Sequence, residues 1–288
     1  MILSKPTTSS RHSADRYWAP LLRLLATLSG LILLLVVGFL LQQAWPALDG
    51  IGLRFFSHEG WYPLEGRFGL LPMVWATLAV SSGAIALAAP LGLASALFER
   101  YYAPPPLARA FRLVLGLLAG VPSVVYGLWG LTVLVPLIGQ WQPPGAGLFS
   151  AMVVLALMIL PTVALTSSSA LGAVPTSLAQ GAAALGLSRR GALIGVLIPA
   201  ARRGIIGGLL LATARALGET MAVLMVAGNV VQTPGGLFDP VRVLTANIAL
   251  ELGYATDAHR AGLFASALLL TLMVIILAWL ANRRGQHG

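Results

Sequence analysis

The chain has 288 residues, of which 58% are hydrophobic and 9% charged, with a mean hydropathy of +0.87. A soluble domain carries roughly 25% charged residues, so a compact water-soluble body is excluded. The lack of cysteine removes disulfide frameworks, thiolate metal sites and cysteine nucleophiles together. The formal charge of +9 reads as arginine-rich cytoplasmic loops of a polytopic membrane protein and not as a nucleic-acid face.

Residues 24–41 carry no charge and are long enough for a first crossing. They follow Lys5, Arg11, Arg16 and Arg23, the pattern of an amino terminus held inside. Ala44-Trp45-Pro46-Ala47 is a poor cleavage site, so this segment reads as a retained helix and not a signal peptide. Further spans are expected over residues 70–98, with a kink at Pro90, and over 113–138, 148–170, 204–228 and 263–280. Six crossings place both termini on one side. The expected cytoplasmic side then holds Lys5, Arg11, Arg16, Arg23, Arg100, Arg109, Arg112, Arg189, Arg190, Arg202, Arg203, Arg283 and Arg284, against only Asp15 and Glu99. The outer side holds Arg54, Arg67, Arg242 and Arg260 with Asp49, Glu59, Glu65, Asp239, Glu251 and Asp257. Phe55, Phe56, Trp61 and Tyr62 fall in the first outer loop, where aromatic rings suit the headgroup level.

Between the fourth and fifth spans, Ser177 is expected to cap a short alanine-rich helix that ends in a left-handed turn at Gly186. Ser188 is expected to cap a second short helix running toward Pro199. Small residues on such a helix let another protein approach its backbone closely.

Arg215 and Glu219 stand four residues apart about halfway along the fifth span, so they are expected to lie on one helical face and to pair. An ionisable residue at mid-depth costs at least about 2.5 kcal/mol on insertion scales and marks a functional site by default. The arginine fork suits a tetrahedral oxyanion, and the carboxylate can hold it while no substrate is present. A structural salt bridge explains the same pair equally well. In the third span, Gly120, Gly127 and Gly130 permit close helix contacts and Pro122 can open the backbone. Ser123 and Tyr126 have hydroxyls to offer a passing anion, or to their own backbone carbonyls. The four histidines, His12, His58, His259 and His287, all fall outside the expected spans, and no HExxH pair or glycine-rich phosphate loop with lysine occurs. An intramembrane enzyme and an ATPase are therefore both disfavoured.

Residues 174–199 resemble the EAA loop of ABC importer permeases: Gly186 fits its glycine, and Val196, Ile198 and Pro199 fit its end. Gln180 stands where that pattern has glutamate and Gly181 where it has alanine, while Ala182 is kept. The run RALGETMAV from Arg215 to Val223, LAGVPSVVYGLWG from Leu118 to Gly130, FGLLP from Phe68 and MILPT from Met158 resemble the PstC family of phosphate ABC transporter permeases. The tyrosine-glycine-any-tryptophan-glycine run separates it from the partner family PstA, and Gly116 replaces a glutamate common in relatives. This resemblance covers residues 68–282.

The resemblance implies an all-α polytopic membrane protein of type I ABC importer permease architecture, with six transmembrane helices and both termini cytoplasmic. Residues 1–69 would form the amino-terminal segment, first helix and first outer loop, residues 70–282 the permease domain, and 283–288 a tail. Residues 171–203 would be the cytoplasmic coupling loop, with Gln180, Gly181, Ala182, Gly186, Val196, Ile198 and Pro199 meeting an ATPase. The implied partners are a PstA-like second permease, a PstB-like ATPase dimer that binds ATP and Mg, a PstS-like phosphate-binding protein and membrane lipid. Arg215, Glu219, Ser123 and Tyr126 would line the substrate path. Another oxyanion, such as tungstate, molybdate or sulfate, is the alternative cargo, and an added role as a sensory scaffold fits the same family.

Overall fold

The computed structural model describes residues 11–286 apart from 53–54 and 56–59. Lys5, Arg54, Phe56, His58, Glu59 and His287 lie outside the described residues, as do the side chains of Arg11, His12, Asp15, Arg16, Arg283 and Arg284. Helix α1 spans Arg11–Ile51 and contains Pro20 and Pro46. A two-stranded ribbon follows, β1 (Trp61–Tyr62) paired antiparallel with β2 (Arg67–Phe68). Helix α2 (Leu71–Leu97) continues through a π turn, Phe98–Tyr102. The third crossing is divided into α3 (Pro105–Gly120), α4 (Ser123–Trp129), a π segment Gly130–Leu134 and α5 (Val135–Gly139). Helix α6 spans Leu148–Gly172, and α7 (Thr176–Ala184) and α8 (Arg189–Ala192) form the connecting loop. Next come α9 (Ile198–Gly218), α10 (Met221–Val226), α11 (Leu244–Glu251) and α12 (Asp257–Gln286).

Helices α2 and α6 make the centre of the bundle, and their sequences explain why. In α2, Ala76, Val80, Ala84, Ala88, Gly92 and Ala96 recur every four residues and are all buried. In α6, Ala151, Leu155, Ile159, Val163, Ser167 and Leu171 do the same. Two such four-residue rows interdigitate, and without a hydrophobic drive in lipid it is close van der Waals packing of small residues that holds helices together. Gly92 lies so near α6 that a Cβ there would meet Val163 Cγ1 at 2.7 Å. Helix α9 packs antiparallel on α6 through the same device, since Cβ atoms at Gly204 and Gly208 would strike Ala170 and Thr166. Helices α1 and α12 pack along each other at the side of this bundle.

Five helical segments among the described residues are long and apolar enough to cross a membrane: Pro20–Gly50, Leu71–Tyr102, Leu148–Gly172, Arg189–Gly218 and Asp257–Trp279. The sixth is the pair Pro105–Gly120 and Ser123–Gly139, bent by 93°. This pair crosses: α3 starts beside Glu99, which Arg112 holds at one end of the bundle, and α5 leads to the start of α6 at the other end. Helix α6 then returns to Gly172, beside the Arg100 guanidinium.

Two spans read as continuous in the sequence are interrupted. The third breaks at Val121-Pro122, where Pro122 has an extended backbone and supplies no amide to continue the ladder. The fifth begins earlier than residue 204, because α8 runs through a π segment, Leu193–Leu197, and Pro199 into α9, and it breaks at Glu219-Thr220. The expected second loop helix is thus the start of this span. Pro199 lies where the π segment passes into α9, inside this continuous helix, so its missing amide removes one bond from the helical ladder there.

The outer loop departs from its headgroup reading. Phe55 and Trp61 are 2% and 5% exposed, and they pack with Phe68, Leu70, Met73 and Leu263. Tyr62 alone of the described aromatics there is exposed. Trp61 Nε1 donates to Glu251, whose carboxylate also meets Arg242 Nη1 at 2.7 Å and His259 Nε2 at 2.8 Å. Burying the tryptophan against a charge cluster satisfies its polar edge and removes it from the interface.

Candidate functional site

Beyond the two breaks, α4 packs against α10 near the start of α6. Gly127 sits against Ala222 and Met225, and Gly130 against Val154 and Val226; added Cβ atoms would approach to 2.6–2.9 Å. Gly120, the third glycine of that motif, has open space beside it, so it serves no such contact. The register of α9 on α6, Gly204 at Ala170 and Gly208 at Thr166, carries Arg215 to the level of Ile159, near the middle of α6. Arg215 therefore stands level with the middle of α6, in the last turn of α9.

The expected ion pair does not form. Glu219 leaves the helix with an extended backbone, ψ 133°, and i,i+4 pairing requires both residues to stay helical. Its carboxylate Oε1 instead accepts from the Ala222 amide at 3.2 Å, capping α10, and its carbonyl accepts from Thr245 Oγ1 at 2.8 Å. An acid at this helix start also complements the dipole of α10. Arg215 is exposed on the isolated chain and has no hydrogen-bond or ion-pair partner among the described residues.

Tyr126 donates its hydroxyl to the Leu118 carbonyl at 2.9 Å, bridging the bend and satisfying an acceptor that the break released. Ser123, half-buried at the first position of α4, has no partner among the described residues. The structure thus places Ser123 and Tyr126 just past the first break, and Arg215 and Glu219 at the second. Thr245 and Thr77 join the network from the outer side: Thr77 Oγ1 accepts from Leu244 N at 3.0 Å and donates to Met73 O at 2.7 Å. Sequence reasoning overlooked both threonines. Their only signal is a hydroxyl inside an apolar run, which elsewhere in this chain, as at Thr271, closes on its own helix.

The connecting loop projects from the end of the bundle that holds Arg100 and Gly172. In α7, Gln180 and Gly181 are exposed and Ala182 is 3% exposed against the α8 segment. The helix ends at Leu185, and Gly186 takes φ +69°, the left-handed turn that its type favours. Ser188 caps α8, its Oγ accepting from Gly191 N at 3.2 Å. Ser177 does not cap: α7 starts at Thr176 after Pro175, so the serine is already inside the first turn. Leu178, Leu185 and Leu187 stand exposed on this loop, while Val196, Ile198 and Pro199 lie where it enters α9. Arg189 stacks on the Tyr102 ring at 4.4 Å and ties the loop to the end of α2.

Residues 88–285 match the family described as binding-protein-dependent transport system inner membrane component. The phosphate transport system permease protein PstC of Mesorhizobium japonicum is 34% identical over 277 residues, covering 88% of this chain and 85% of its own length. The probable ABC transporter permease protein YqgH of Bacillus subtilis is 37% identical, covering 81% and 78%. Among solved structures, the inward-facing MetNI methionine ABC transporter aligns with a TM-score of 0.61 at 20% identity, over 75% of this chain and 94% of that one. A bacterial alginate ABC transporter aligns with a TM-score of 0.62 at 14% identity, over 96% of both chains. The fold is that of the ABC importer permeases, and the chain belongs to the binding-protein-dependent inner-membrane permease family, in its PstC branch.

Proposed function

We propose that this chain is one permease subunit of an ATP-driven importer that carries inorganic phosphate across the bacterial cytoplasmic membrane. The observation that carries this reading is Arg215, a guanidinium without a partner among the described residues, held at mid-depth where two spans are broken, in a chain whose relatives include PstC permeases. Broken helices at membrane depth line polar cavities, because their freed backbone groups need partners other than lipid. An arginine there costs energy that a dianion repays with charge-assisted hydrogen bonds. Ser123 adds a hydroxyl donor near the same point. Tyr126 fixes the bend through Leu118, and Glu219 holds the second break open by capping α10.

In this reading the basic end of the bundle, with Arg100, Arg112, Arg189, Arg190, Arg202 and Arg203, faces the cytoplasm together with both termini, in accord with the positive-inside rule. The loop 171–203 then meets a PstB-like ATPase, which binds ATP and Mg. Exposed Leu178, Leu185 and Leu187 give that contact an apolar surface, and Gln180 contributes a hydrogen bond where a charge would otherwise stand. A PstA-like permease completes the path, and a PstS-like protein delivers the anion from outside. Closure of the ATPases would pull the loops together and open the path toward that delivery. Arg215→Ala is expected to reduce phosphate uptake to background while the complex still assembles, measured by radiolabelled uptake and by co-purification of the subunits. Undiminished uptake would remove Arg215 from the path.

A further inference from the structure

A basic cavity lies away from the broken spans, at the end of the bundle that carries the connecting loop. Its volume is about 340 Å³, and Arg100, Arg112, Leu165, Ser168, Ser169 and Gly172 line it. Each wall residue is placed by a specific local cause. Arg112, on the first half of the third span, is gripped by Glu99, whose Oε1 accepts from both Nε and Nη2. Glu99 is 2% exposed and does not line the cavity, so this carboxylate orients the arginine from behind. The remaining guanidinium nitrogen, Nη1, has no partner among the described residues. Arg100 lies flat against the end of α6, because Gly172 has no side chain: a Cβ there would meet Arg100 Cζ at 3.0 Å and Nη1 at 3.1 Å. Arg100 also has no hydrogen-bond or ion-pair partner among the described residues, nor do the hydroxyls of Ser168 and Ser169. Ser168 is only 6% exposed, and its hydroxyl oxygen is accessible from the cavity that it lines.

We infer that Arg100, Arg112, Ser168 and Ser169 form a binding site for a phosphate group, distinct from the path at Arg215. Two guanidinium groups against one carboxylate leave the wall net positive, and planar donors beside hydroxyl donors match a tetrahedral oxyanion. Free inorganic phosphate and the headgroup of an anionic phospholipid share this chemistry. The site joins the ends of α2 and α6 to the middle of α3, just before the loop that begins after Gly172, so occupancy ties together the elements on which that loop is mounted. The consequence for transport rests on the import reading above; the binding itself does not.

The test uses the full chain purified in detergent with its partner subunits and without the external binding protein. Equilibrium binding of radiolabelled inorganic phosphate is measured in the Arg215→Ala background, which silences the path. Native mass spectrometry follows retained phosphatidylglycerol in the same preparations. Arg100→Gln is expected to weaken phosphate binding at least tenfold if the ligand is the free anion, or to abolish retention of the lipid if it is a headgroup. The double variant Ser168→Ala, Ser169→Ala, which leaves every ion pair intact, is expected to shift the same readout in the same direction. Phosphate binding and lipid retention both unchanged in the two variants would overturn the site. Import of a different anion by the intact complex would overturn the transport reading and leave these binding results standing.

Discussion

Glu219 shows how sequence spacing alone can assign a residue the wrong partner. Spacing places it on the face of Arg215, but Gly218 ends the helix and the carboxylate turns to the next amide available, that of Ala222. Losing a helix cap of this kind costs about 1 kcal/mol. Glu219→Gln keeps an oxygen for the Ala222 amide and is expected to retain the wild-type thermal midpoint, whereas Glu219→Ala is expected to lower it. Equal midpoints would remove the capping role, and thermal unfolding of the purified complex decides. Arg215 itself was legible because a charge is costly inside an apolar span and persists there only where a partner or a ligand offsets the cost. Thr245 and Thr77 were not, since a lone hydroxyl in such a span ordinarily closes on its own helix, and their long-range bonds depend on how the outer segment folds back.

At the scale of elements, the spans were readable because apolar length and small-residue spacing are local properties. The four-residue rows of α2 and α6 are present in the sequence as plainly as in the packing. The breaks were only half readable. Pro122 announces the bend in the third span, but Glu219-Thr220 contains no helix breaker beyond the preceding Gly218, and the interruption there depends on Thr245 and the α4 surface. The connecting loop was legible down to its turn, because Gly186 and Ser188 act within a few residues of themselves. Gly186 has open space around it, so a larger residue there suffers only backbone strain, roughly 1–2 kcal/mol for a left-handed non-glycine residue. Gly186→Val is expected to deform the α7–α8 turn and to lower uptake while the ATPase still hydrolyses ATP. Uptake and hydrolysis measured on the same proteoliposomes check this, and an unaltered ratio would separate the turn from coupling.

For the whole molecule, the apolar runs foretold six crossings, and five long apolar helices with the bent pair Pro105–Gly120 and Ser123–Gly139 supply them among the described residues. The outer end was harder to foresee. Glu251, Arg242, His259 and Trp61 are scattered over nearly two hundred residues, yet one carboxylate serves three of them. Loop residues counted by charge alone give no hint of such a meeting, because it is set by how α11 and α12 pack beside the ribbon. What emerges is a bundle with a closely packed α2–α6 centre, two broken spans that touch through α4 and α10, and a helical loop mounted at one end. The most direct measurement of its role is radiolabelled phosphate uptake in phosphate-starved cells with and without this gene, with unlabelled tungstate and sulfate as competitors. High-affinity phosphate uptake lost with the gene, and resistant to both competitors when it is present, is the predicted result. Phosphate uptake unchanged by its loss, in cells with no second phosphate transporter, would contradict phosphate as the cargo and leave a permease for another oxyanion.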